Sequence, residues 1–184
     1  PVGLAYLPKL FTDGFGRSRP TRPAEVEGLT PEMARRLVPL LDGRPDRPDT
    51  GIPLDQRTDI AAAVLGAMSL TRNFAPLVVL TGHGASTVNN PYDKGLDCGA
   101  CGGHTGEANA RVTAAILNHP KVRAGLAQRG IVVPDDTWFV AAQHDTTTDE
   151  ITIFDRHLIP AGHVAAVVGL EQSFVAAGRR TRRE

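Results

Sequence analysis

Residues 74–84, Phe74-Ala75-Pro76-Leu77-Val78-Val79-Leu80-Thr81-Gly82-His83-Gly84, decide the fold class. The run 75–80 is short, apolar throughout and rich in strand-forming residues, which fits a buried parallel strand better than a half-exposed one. It runs out into Gly82-His83-Gly84 and so sets an imidazole at the carboxyl end of a sheet, where open α/β folds build their sites. The flanking glycines leave room beside that ring.

Upstream of this strand, Thr30 before Pro31 and Glu32 opens a helix, and Met33, Leu37, Leu40 and Leu41 recur at helical spacing until Asp42-Gly43 stops them. Residues 44–53, dense in Pro, Asp and Arg, read as a loop. Residues 55–72 read as a helix with Ile60, Ala61, Val64, Leu65 and Met68 on its apolar face. The first thirty residues hold Gly14, Gly16, Pro20 and Pro23 among several arginines without any period, so an irregular lead-in is expected over 1–30.

Downstream, a long polar loop carries Asn89-Asn90-Pro91 and then Cys98-Gly99-Ala100-Cys101-Gly102-Gly103 before a helix over 107–118, where Glu107 and Arg111 stand four apart in the favourable order. His119-Pro120 interrupts the pattern, and 121–129 reads as a further helix ended by Gly130. Residues 131–133, 138–142 and 151–154 read as strands, with a hairpin turn at Thr148-Asp149. An Ala- and Val-rich helix over 163–177 follows, and 179–184 is expected as a frayed basic tail. Strands alternating with helices give an α/β domain over 31–178 with a partly parallel sheet flanked by helices.

Length and charge bound the function. The 184 residues suit one domain or a large piece of one, and the 41% hydrophobic content suffices for a core. Twenty basic residues balance twenty acidic ones, so a non-specific nucleic-acid binder is not expected. The apolar stretches fall far short of the roughly 20 residues of a membrane span. The chain starts at Pro1 with no signal-peptide pattern, which suggests the interior of a longer protein. One pair of cysteines, Cys98 and Cys101, is no disulfide framework, and reduced thiols in a cytoplasmic setting are the better reading.

The candidate chemistry lies between Val78 and Gly106. Cys98 sits in a glycine-rich segment shortly before a helix, where the positive end of the helix dipole favours thiolate, and thiolate and neutral imidazole are ligands that zinc prefers. From spacing alone, metal ligation by His83 and Cys98 stands about level with hydrogen-bonded structural roles, because a single CxxC is a weak motif. A redox CxxC is less favoured, since such motifs open a helix directly after a strand. His104 either approaches a metal at the cysteines or, as a polar residue opening a helix, caps it or is solvated. His144 is either a proton relay at a shared mouth or a surface hydrogen-bonding residue. Gly99 to Gly106 lacks both P-loop and dinucleotide-binding spacing, and Ser86 lacks the glycines of a nucleophile elbow.

Taken together, Thr81-Gly82-His83-Gly84, Asn89-Asn90-Pro91, Leu96-Asp97-Cys98-Gly99-Ala100-Cys101-Gly102-Gly103 and Asn109-Ala110-Arg111 closely resemble the DabA family, soluble subunits of two-part inorganic carbon pumps. His144, Thr146, Thr148 and Asp149 fit the family's later pattern, and the resemblance is densest over 74–149. It implies a β-carbonic-anhydrase-like fold, incomplete in this chain, with Zn2+ held by Cys, Asp, His and Cys. On that mapping His83 and Cys98 are metal ligands separated by a long insertion. Cys101 becomes a neighbour expected as a small packed thiol, and His144 a possible outer partner. The family's upstream Cys-x-Asp-x-Arg ligands have no counterpart here, because no cysteine precedes Cys98.

The chain therefore resembles the second half of a site, as a fragment of a longer subunit or as a variant that has lost the chemistry. In the complete subunit the resemblance implies zinc-assisted hydration of CO2 to bicarbonate, gated by an Asp ligand that pairs with Arg. It also implies an integral-membrane, antiporter-like DabB-type partner at the cytoplasmic face of the bacterial inner membrane. This chain alone is expected to be inactive. The competing reading is a non-catalytic metal-binding or scaffolding module in which His83, Cys98, Cys101 and His104 hold a structural ion or none.

Overall fold

The computed structural model describes Pro8, Phe11, residues 28–87 and residues 92–183. Nearly all of the lead-in 1–30, and Asn89-Asn90-Pro91, lie outside the described residues. The elements are α1 (Pro31–Arg36), α2 (Leu54–Ala67), β1 (Leu77–Gly84), α3 (Glu107–Asn118), α4 (Pro120–Gln128), β2 (Trp138–Asp145), β3 (Glu150–Ile153) and α5 (Ala161–Thr181), with short helical turns between some of them.

The three strands form one mixed sheet in the order β1-β2-β3. β1 and β2 are parallel from Leu77↔Trp138 to Gly84↔Asp145, and β2 and β3 are antiparallel from Ala142↔Ile153 to Asp145↔Glu150. The sequence expectation of an α/β domain with a partly parallel sheet holds. One sheet face buries Leu80, Phe139 and Ala141 against Ala61 and Leu65 of α2, Ile116 and Leu117 of α3, and Val122 and Leu126 of α4. The other face buries Val140, Ala142 and Ile153 beneath Val167 of α5, with Leu77, Val79 and Trp138 packed alongside. Both faces are covered, as parallel pairing requires, which is why residues 77–80 are apolar without alternation. Among the described residues no helix is long and apolar enough to cross a membrane.

Several boundaries depart from the pattern, each for a tertiary reason. Thr30 caps α1 by accepting from the Met33 N–H at 3.2 Å, as expected, but the helix ends at Arg36 rather than Leu41. The Leu37 carbonyl is taken by Arg111 and the Leu41 carbonyl by Arg57 and the Ile52 N–H, which holds the chain extended. α2 ends at Ala67 because Ser69 turns left-handed (φ 56°) and the Leu70 N–H returns to the Leu65 carbonyl at 2.9 Å.

Residues 131–133 are not a strand. Gly130 (φ 82°) closes α4 with the Ile131 N–H on the Leu126 carbonyl, and Val133 then enters the core as a buried side chain without a ladder partner among the described residues. α5 continues through Thr181, so much of the expected frayed tail is helical. The hairpin turn stands where expected, with Asp149 in the left-handed region at φ 55°.

Candidate metal centre

β1 extends four residues past the apolar run because Thr81–Gly84 pair with 142–145 of β2. Glycine is needed at two points of this extension. A Cβ on Gly82 would overlap the Gly106 backbone, and one on Gly84 would overlap Gln143 and Thr105. This close approach lets the Gly106 N–H donate to the His83 carbonyl at 2.7 Å, fixing the start of α3 against the end of β1.

His83 lies in register with His144, and in-register residues of parallel strands share a face, with the strands about 4.8 Å apart. The two histidines continue the face that carries Leu77, Val79 and Val140. His83 is exposed. His144 Nε2 stands 3.4 Å from Asp149 Oδ1, and both side chains are partly exposed. Next to His144, Asp145 receives the Ser86 hydroxyl on one oxygen and, on the other, the Thr147 hydroxyl at 2.6 Å and N–H at 2.9 Å. Burial works to raise the Asp145 pKa, but these hydrogen bonds outweigh it and hold the carboxyl below its usual range.

The cysteine loop is a tight backbone knot. The Cys98 carbonyl accepts from the N–H groups of Cys101 (3.0 Å) and Gly103 (3.1 Å), and the Cys98 N–H donates to the His104 carbonyl at 3.1 Å. Gly102 (φ 66°) and Gly103 (φ 79°) take the left-handed conformations that fold the loop back. The loop is tied to the end of β1 where the Ala85 N–H donates to Asp97 Oδ1 at 3.1 Å.

Within the knot, a hydrogen bond from the Cys101 side chain is the main cause that lowers the Cys98 thiol pKa, helped by the Cys101 and Ala100 backbone N–H groups and opposed by burial and Asp97. The same bond raises Cys101, which also accepts from Asn109 Nδ2 at 3.2 Å. One expectation is corrected here. Cys101 is half-exposed and accepts a hydrogen bond from Asn109 rather than being a packed apolar thiol. His104 is exposed and does not cap α3, whose N-cap is Gly106 with no side-chain bond.

The structure thus brings Cys98 to Cys101 and His83 to His144. Among the described residues no three His, Cys, Asp or Glu side chains converge into a metal cluster. A thiol lowered by N–H and S–H donors and a free imidazole match zinc's donor preferences, but they are two donors of the usual four.

Sequence reasoning missed the Ser86–Asp145–Thr147 cluster, which no local spacing signals because Ser86 and Asp145 are joined only by strand pairing. It also missed the Arg111 node. Arg111 bonds Asp155 through Nε at 3.0 Å and Nη2 at 2.6 Å, bonds Glu107 at 2.9 Å, and lies over the Phe154 ring at 5.4 Å. Only the Glu107–Arg111 pair was visible in the sequence.

The model of the family "Probable inorganic carbon transporter subunit DabA" matches residues 1–184. The chain is similar to curated proteins of that name, at 56% identity over 186 residues in Chloroflexus aurantiacus and 55% over 185 residues in a Roseiflexus species. A protein named "Probable inorganic carbon transporter subunit DabA 1" from a Bradyrhizobium species is 51% identical over 184 residues. Each comparison covers 100% of this chain and 22% of the relative, so the chain spans about a fifth of the length of the curated relatives it matches. No solved structure matches it.

Proposed function

The chain belongs to the DabA family of probable inorganic carbon transporter subunits, and from that premise we propose that it supplies half of a zinc site, His83 and Cys98, to a subunit that hydrates CO2 to bicarbonate. The observation that carries this reading is the Cys98 knot, a glycine-folded loop in which the Cys98 carbonyl accepts from the Cys101 and Gly103 N–H groups and which leaves the thiol partly exposed, as a metal ligand requires. His83 ends a glycine-flanked strand with its ring exposed, and Asp97, next to Cys98, accepts the Ala85 N–H just past that strand end.

A bound zinc ion would supply Lewis acidity and lower the pKa of a water to about 7. This chain's residues would hold the ion from one side. His144 Nε2 would exchange a proton with solvent near the same strand ends, its ring held by Asp149. The missing donors belong to the rest of the subunit. The sheet supports that arrangement on a β-carbonic-anhydrase-like fold. Trp138 N–H to Pro76 O and Thr146 N–H to Gly84 O show that even-numbered residues of β1 turn their backbone toward β2. Leu77, Val79 and Thr81 therefore point theirs to an outer edge that is unpaired among the described residues and ready for a further strand. The working complex would sit at the cytoplasmic face of the inner membrane on an integral-membrane, antiporter-like DabB-type partner, whose cation gradient drives hydration in one direction.

A second reading, a structural ion on Cys98 and Cys101 in a non-catalytic module, draws on the contact between the two thiols. The variants His83→Ala, Cys98→Ser and Cys101→Ser in the full-length subunit separate the two. Zinc content and growth in air of cells lacking other carbon-supply routes are measured. Loss of both from the first two variants with a milder Cys101 effect is expected. Unchanged zinc and growth in His83→Ala, with loss in both cysteine variants, supports the structural ion.

A further inference from the structure

The outer helix α5 carries its apolar residues over a wider arc than this chain covers. At about 100° per residue, Val167, Leu170 and Phe174 fall on the side packed against the sheet. Val164, Val168 and Val175 fall together on the adjoining flank, within an arc of about 40°. They are 47%, 40% and 53% exposed. Single exposed valines are ordinary on a protein surface, but three in line along one flank form a continuous apolar strip.

The strip holds no charge of its own. From Ala161 to Gly178 the only ionisable residues are His163 and Glu171, and both are engaged. His163 Nε2 donates to the Asp136 carbonyl at 2.8 Å, and Glu171 pairs with Arg156. Glu171 falls between the buried stripe and the valines around the helix, and Arg156 comes shortly after β3, so the flank looks toward the β3 side of the sheet. That side is open in two further respects. β3 is an edge strand with no partner beyond it among the described residues. On the α3 side of the sheet, a cleft of about 590 Å³ lies between α1 and residues 152–157.

The size of the strip selects its occupant. It measures about 17 Å by 10 Å, on the order of 200 Å², whereas a freestanding partner needs about 800 Å² on each side. A segment tied to the same chain needs far less, because the tether holds it at high local concentration. The family supplies such a segment: this chain matches 22% of each curated relative, so about four-fifths of each relative lies outside the match. A strip running along a helix, with the small residues Ala161 and Ala165 next to it, accepts a second helix laid alongside in the same layer.

We propose that a helix from the rest of the same subunit packs on the Val164–Val168–Val175 flank of α5, beside β3. The contact is independent of whether His83 and Cys98 hold zinc.

The test uses Val164→Cys, Val168→Cys, Val175→Cys and, on the outward side of α5, Ala176→Cys, each in the full-length subunit without membranes or other proteins. Circular dichroism checks the fold of each variant, and peptide mass spectrometry follows maleimide labelling at the named position in buffer and in urea. Each valine position is expected to react in buffer about tenfold or more below its rate in urea, with Ala176→Cys slowed far less. Dilution to the monomer, followed by light scattering, should leave that protection unchanged. Native labelling of the valine positions as fast as in urea would show an open face and overturn the proposal. Equal protection at Ala176 would show a helix buried all round and overturn it as well. Protection lost on dilution would assign the strip to a second copy, and protection gained only with the membrane partner would assign it to that protein; either result overturns the proposal.

Discussion

The two ends of the β1–β2 pair differ in which side chains they leave free. At the amino end, polar side chains are spent on backbone. Asn118 donates to the Phe139 carbonyl at 2.8 Å and accepts the Phe139 N–H at 3.0 Å, Thr137 donates to the Ala75 carbonyl at 3.1 Å, and Arg123 donates to the carbonyls of Leu117 and Thr137 at 2.9 and 2.7 Å. At the carboxyl end Asp97, Asp145, Thr146 and Thr147 bond the backbone in the same way, but the side chains of His83, His144 and the two cysteines keep access to solvent. A side chain that satisfies a buried carbonyl cannot also bind an ion or move a proton. The contrast marks the amino end as structural and the carboxyl end as the place for chemistry.

The strongest challenge to that division is Gly82→Ala. Its Cβ would overlap the Gly106 backbone rather than a movable side chain, so a loss of roughly 3 kcal/mol or more is expected, in the range of severe overpacking. Chemical denaturation of the full-length subunit measures it. A loss below 1 kcal/mol, judged against that same range, would show that the two strand ends are not locked by close approach.

Asn118→Ala should cost about 2 to 3 kcal/mol, because it leaves a Phe139 donor and acceptor unpaired in the core. Metal content and thiol reactivity at the other end should stay unchanged. Altered Cys98 labelling rates in this variant would show that the ends are coupled.

Asp145 gives a smaller effect with a pH signature. Its folded pKa lies below the usual 3.8, so its stabilisation is complete above that value and fades as pH falls through the folded pKa. Asp145→Asn should therefore be less stable than the parent near neutral pH, and the gap should close in acid. A gap that persists undiminished at low pH would assign the loss to packing. The smallest effect belongs to the exposed pair of Arg129 and Asp59, joined at 2.6 Å. Asp59→Ala should change stability by about 0 to 1 kcal/mol, less still in high salt.

Legibility differed between elements for local and non-local reasons. α3 matched its expected bounds, 107–118, because its apolar spacing and its flanking Gly106 and Pro120 are all local signals. α2 was overrun by five residues because its left-handed terminator is Ser69 rather than a glycine. The strand expected at 131–133 shares apolar composition with a real one, but the Ile131 N–H is consumed in closing α4. At the candidate site, His83 and Cys98 stood out through glycine context and family likeness. Asn109 on Cys101 and Ser86 on Asp145 left no trace in sequence.

By itself the sequence determined the α/β class, the buried strand leading into Gly82-His83-Gly84, the main helices and the family. Each of these rests on spacing or motif within a short window. Tertiary structure alone decided that β1 continues to Gly84, that Arg111 joins Leu37 and Asp155, and that α2 and α4 open on one cleft. Those outcomes depend on which distant segments meet, and that is settled when the two sheet faces are buried and the remaining backbone groups must find partners wherever the packing has put them.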